Sequence, residues 1–147
     1  MKQETNTLYT FITGGTYASV AFLLGGVDKL LIALAIIMAA DFTTGVFASF
    51  FDEKKTSSKR AFKGLVKKGA MVSLVIVANQ LDVISGTDSG FLRNAMIFFL
   101  IGTEGISITE NMHRLGVPVP KFISDRFEQM THEEGETDAN RKAKTSI

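Results

Sequence analysis

Residues 30–51 read LLIALAIIMAADFTTGVFASFF, twenty-two residues with a single charge, Asp41. A helix of that length rises about 33 Å at 1.5 Å per residue, enough to cross a hydrocarbon core of ~30 Å. Three further stretches are almost as free of charge: residues 8–27, 69–84 and 94–112. Together the four stretches hold only Asp41, Asp82, Glu104 and Glu110 of the chain's 31 charged side chains. Averages over the 147 residues, with 46% hydrophobic and net charge +1, would suit a soluble globule equally well. The segregation of charge points instead to membrane segments separated by water-facing loops.

The pattern predicts an all-α integral membrane protein with about four hydrophobic helices and a cytoplasmic, partly disordered C-terminal tail. Residues 1–112 form the transmembrane helical part and residues 113–147 the tail. The segment 8–27 carries no charge but four glycines, so it either spans or lies at the interface. The segment 69–84 is short and spans only if Leu65 and Val66, or snorkelling lysine stems, extend it. In the segment 94–112 the second half, TEGISITENM, is polar and calls for protein or water beside it. Residues 52–68, DEKKTSSKRAFKGLVKK, carry seven basic and two acidic side chains. The positive-inside rule places them in the cytoplasm, so four crossings leave both termini there. In the tail, Pro118 and Pro120 are expected to end the fourth helix. Ile123, Phe127 and Met130 share one side of a short interfacial helix. The chain from about residue 131 onward is too polar to fold.

Several function classes drop out. The chain has no Cys and only His113 and His132, which excludes a disulfide framework and a thiolate site and argues against a histidine metal site. GLVKKG at 64–69 lacks the phosphate-loop spacing, and no serine–histidine–aspartate order suggests catalysis. No enzyme activity, cofactor, metal or nucleic-acid partner is expected.

The intramembrane ionisable residues carry what functional signal there is. Asp41 lies roughly 17 Å along its helix, where a carboxylate costs at least ~2.5–3.5 kcal/mol. Thr44, Gly45 and Ala48 share its face and are all small, which permits close helix approach. Glu104, Ser107 and Asn111 form a similar stripe at comparable depth. Lys67 and Lys68, at the cytoplasmic start of the third segment, have stems long enough to reach these carboxylates or, alternatively, lipid phosphates. The expected site is an inner-half polar cluster of Asp41, Thr44, Glu104, Ser107, Asn111 and Lys68 or Lys67. A purely structural carboxylate satisfied by a neighbouring helix is the other reading of Asp41. Gly14 and Ala18 give the first segment a small-residue face suited to helix packing, and Gly102 to Gly105 form either a packing notch or a weak point.

One resemblance rests on longer patterns. AADFTTG (39–45), SSKRAFKGLVKKG (57–69) and, above all, EGISITENMHRLGVPVPKF (104–122) resemble the phage-type holins of the toxin secretion/phage lysis family. The similarity covers roughly residues 20–128. It implies a bacterial cytoplasmic-membrane protein that associates with itself in the bilayer. It also implies lesions through which an endolysin reaches the cell wall, or through which a toxin leaves. A small ion channel or transporter subunit, or an antiholin-like membrane partner, would share the same polar faces.

Overall fold

The computed structural model describes residues 2–51, 58–86 and 90–132, with the side chains of residues 2–5, 58 and 60 left out. The described chain is entirely helical apart from its turns. The helices are α1 (Lys2–Leu24), α2 (Lys29–Phe51), α3 (Ser58–Ile84), α4 (Phe91–Arg114) and α5 (residues 121–132). Three of them are long and apolar enough to cross a membrane: α1 from Asn6, α2 and α4.

The apolar stretch 69–84 is the second half of a longer helix. Residues 58–68, expected as loop, are helical. Lys, Arg, Ala and Leu are good helix formers, and hydropathy alone does not mark where such a helix starts. α3 therefore runs 27 residues with its basic side chains in the first half, and it is not among the three apolar spans. The end of α4 also differs from expectation. Gly116, with φ +75°, stops it before either proline. Gly116 N–H donates to the His113 carbonyl at 3.0 Å, and Val117 N–H donates back to Met112 at 2.9 Å. This is the double bond pattern of a left-handed helix cap. The prolines then shape the link to α5, where the Pro120 carbonyl accepts from Ile123 N–H. Thr131 and His132 are still helical. The expectation of disorder beyond them falls on residues outside the described ones.

α2, α3 and α4 share one core: Leu34 and Met38, Met71 and Val75, and Ile97, Leu100 and Ile101. Leu34 and Met38 continue through Asp41 and Gly45 to Ala48, a stripe of helical period. The matching stripe on α4 runs Ile97, Leu100, Ile101, Glu104 and Asn111. In lipid such helices gain little from leaving the solvent, so close packing and internal polar bonds must hold them. α1 stands apart. None of its apolar span is buried, and it meets α3 only near its C-terminal end.

Candidate functional site, a buried polar cluster

Asp41 stands in the thirteenth position of α2 and Glu104 in the fourteenth of α4. The α1–α2 and α3–α4 turns meet at one end of the molecule, so the two carboxylates lie at similar distances from it. Lys68 lies sixteen residues from the end of α3 and comes to the same level from the opposite direction. Its Nζ donates to Asp41 Oδ2 at 2.8 Å and also to Glu104 Oε2. Glu104 is 1% exposed, while the side chains of Lys68 and Asp41 are 13% and 14% exposed. One side-chain amine thus joins three helices.

Side-chain amides and hydroxyls complete the set. Asn111 Nδ2 donates to Asp41 Oδ1 at 3.2 Å and to Thr44 Oγ1 at 3.3 Å. Thr44 turns its own hydroxyl back to the Asp41 carbonyl at 3.1 Å. Gly45 makes room: a Cβ there would sit 3.4 Å from Asn111 Nδ2. Ala48 is fully buried one turn further on. Lys67 is exposed and does not join the bonded trio, because consecutive helical residues point about 100° apart. It lines, with Ser107, a cleft of about 230 Å³ beside the cluster. Gly14 and Ala18 stand apart from the cluster, exposed on α1; nothing lies within 4 Å of where a Gly14 Cβ would be. Among the described residues no group of three or more His, Cys, Asp or Glu side chains could hold a metal ion. The chemistry available is charge pairing and hydrogen bonding.

A second buried polar cluster, at the far end of the molecule, escapes the sequence reading. Arg93 is 4% exposed. Its guanidinium donates to the carbonyls of Leu24 and Gly26 and to Asp28 Oδ2 at 2.7 Å. Asn79 donates to the carbonyls of Phe22 and Leu23. The two side chains thus satisfy the free carbonyls that end α1. Asp82 accepts from the Leu92 and Arg93 N–H groups at 3.0 and 2.8 Å. It caps α4 from another helix, since Gly90 at the cap position has no side chain. Asp28 caps α2 through Leu31 N–H at 2.9 Å. The Arg93 hydrogen bond is the chief reason the Asp28 carboxyl is held below its usual range, helped by the Leu31 N–H and opposed by partial burial. The only sequence signal was Asp82 in an apolar run and Arg93 eleven residues later, within reach of a membrane span.

The end of α1, the helices α2 to α5 and the two buried clusters all fall within one stretch of similarity. Residues 18–132 match the bacteriophage holin family. The chain belongs to that family. Among similar proteins, a probable holin of Bacillus phage phi105 is 38% identical over 107 residues, 73% of this chain and 77% of that one. An uncharacterized protein of Listeria monocytogenes is 40% identical over 111 residues, 76% of this chain and 78% of its own length. An uncharacterized protein of Bacillus subtilis is 35% identical over 119 residues, 81% and 83% of the two chains. No solved structure matches. As a holin with three long apolar helices, the chain is a membrane-spanning protein. The holin match begins inside α1 and ends at the last residue of α5.

Proposed function

We propose that the chain accumulates in the bacterial cytoplasmic membrane, associates with itself and opens lesions that release an endolysin or export a toxin. The observation that carries this reading is the Asp41–Lys68–Glu104 trio inside three packed helices of a holin. Buried charge is costly unless paired, so the trio holds α2, α3 and α4 in one packing. The same groups also offer hydrogen bonds to another copy once that packing opens. In this reading α3 crosses as a fourth span, its lysine half towards the cytoplasm, and both termini are cytoplasmic. Gly14 and Ala18, exposed on an uncovered α1, are offered to neighbouring copies.

The test is inducible expression in bacteria beside a folded cytoplasmic reporter enzyme. Abrupt release of the reporter is expected. Ion leakage without reporter release would replace the reading with a narrow channel, and full viability with confirmed insertion would replace it with an antiholin-like partner. Asp41→Ala is expected to shift the onset of release at equal membrane abundance. An unchanged onset would reduce Asp41 to a structural carboxylate.

A further inference from the structure

The cleft beside the charged trio is lined by all three packed helices. α4 packs against both α2 and α3, while α2 and α3 meet each other sparingly. The cleft therefore opens between α2 and α3, with α4 behind it. Small residues leave the space: Gly45 and Ser49 on α2, Ala61 and Gly64 on α3. Nothing lies within 4 Å of where a Gly64 Cβ would be. Asp41 stands ten residues from the end of α2, and Arg114 is the last residue of α4. The cleft thus runs roughly 15 Å, from the trio out to the helix ends.

Its walls carry two kinds of chemistry. Phe42, 39% exposed, and Val46 form an apolar side. Lys67, Lys68 and Arg114 bring three basic groups, against one carboxylate in the lining, Asp41. Lys68 is committed to Asp41 and Glu104. Lys67 is exposed and stands outside that trio. Arg114 is exposed at the mouth, where it donates to Asn111 Oδ1 at 3.5 Å. With Asp41 already paired, the basic excess sits at Lys67 and Arg114.

An occupant has to match three features: an apolar wall, two basic groups near the helix ends, and a setting inside a bilayer. A free inorganic anion matches only the second. A zwitterionic phospholipid brings its own ammonium, which offsets the attraction. An anionic phospholipid matches all three. Basic pockets between membrane helices take such head groups, and a lysine stem reaches from the hydrocarbon edge to head-group level.

We propose that the cleft between α2 and α3 binds one anionic phospholipid, with its phosphodiester beside Lys67 and Arg114 and an acyl chain against Phe42 and Val46. The lipid fills the gap where α2 and α3 have little direct packing. The anionic lipid content of the membrane then sets how firmly α3 is held. The proposal rests on membrane residence of these helices and not on lesions, reporter release or orientation.

The chain has no Trp, so Phe42→Trp places a single fluorophore in the cleft wall. The full chain is reconstituted in vesicles of equal parts phosphatidylcholine and phosphatidylglycerol, with bromine on the acyl chains of one lipid or the other. Quenching is expected to show phosphatidylglycerol enriched about fivefold at the introduced tryptophan, the scale of one basic side chain at a lipid surface. Phe98→Trp, on an exposed part of α4 away from the cleft, is expected to show no preference. Adding Lys67→Gln and Arg114→Gln to the Phe42→Trp chain is expected to bring the preference down to about one. Gly64→Leu is expected to do the same with every charge intact. It fills the cleft and removes a helical glycine, so it does not weaken α3.

Equal quenching by the two lipids at position 42, or an equal preference at position 98, would overturn the proposal. A preference that survives the charge changes would overturn the role of the two basic groups, and one that survives Gly64→Leu would overturn the cleft as the site. Loss of the preference on adding inorganic phosphate, but not sodium chloride of equal ionic strength, would replace the lipid with a free anion. None of these outcomes depends on reporter release, so the two readings fail separately.

Discussion

Lys68 is the residue that joins the two carboxylates of the trio. It pairs with carboxylates from two different helices. Removing one member of a buried ion set leaves the others unpaired, which typically costs about 3–5 kcal/mol. Lys68→Met is expected to destabilise the chain on that scale, read as a lowered thermal midpoint by circular dichroism in detergent. Lys67→Met, at the exposed neighbour, is expected to change it by less than about 0.5 kcal/mol. Equal effects at the two positions would contradict the geometry. Gly25 is demanding for a different reason. Its φ is +75°, and a Cβ would overlap the Asn79 amide that caps α1. Gly25→Ala is expected to cost more than about 1 kcal/mol through backbone strain and the lost amide bonds. Of this residue-level detail, the sequence made Asp41, Glu104 and a lysine legible by depth counting along helices. It left Lys67 and Lys68 equivalent, because which one turns inward depends on the rotation of α3 about its axis.

At the scale of elements, α1 hangs on its last turn. Its apolar span is uncovered, and Arg93 and Asn79 bond the carbonyls at its end. Arg93→Gln is expected to free it, seen as faster amide hydrogen exchange around residues 22–28 with α2 and α4 unchanged. Asp28 adds a pH dependence to the same joint. Its folded-state carboxyl titrates below the unfolded value of about 3.9. Its contribution is therefore fully present above pH ~4 and is lost as pH falls through the lower folded value. Half the side chain is solvent-exposed, so the effect is small. Exchange at residues 22–28 is expected to quicken selectively below pH ~4, and Asp28→Asn to remove that acid step. This joint was not legible beforehand. A lone Asp and a lone Arg near helix ends look like ordinary solvated charges until three connections are brought to one point. Helix limits failed in a related way: the start of α3 is set by helix propensity and not by hydropathy, and the end of α4 by Gly116 and not by the prolines.

For the whole molecule, the proposed orientation rests on residues 52–68, whose seven basic side chains outweigh two acidic ones. Replacing Lys54, Lys55, Lys59 and Arg60 with Gln is expected to weaken cytoplasmic retention of this stretch, measured by labelling of an introduced cysteine from either side. Unchanged cytoplasmic labelling would show that orientation is fixed elsewhere. The sequence by itself determined that the protein is helical and membrane-spanning and that charge is nearly absent from four stretches. Those properties follow from the composition of each segment, and a bilayer tests each segment separately. Tertiary structure alone decided which lysine pairs with Asp41 and Glu104 and that Arg93 and Asn79 tie the end of α1 to α4 and α3. It alone decided that α5 lies on Gly102 and Gly105, where a Cβ would crowd Phe127. These depend on how helices rotate and cross, and a periodic pattern offers several faces to every neighbour. Only the simultaneous packing of α2, α3, α4 and α5 selects one of them.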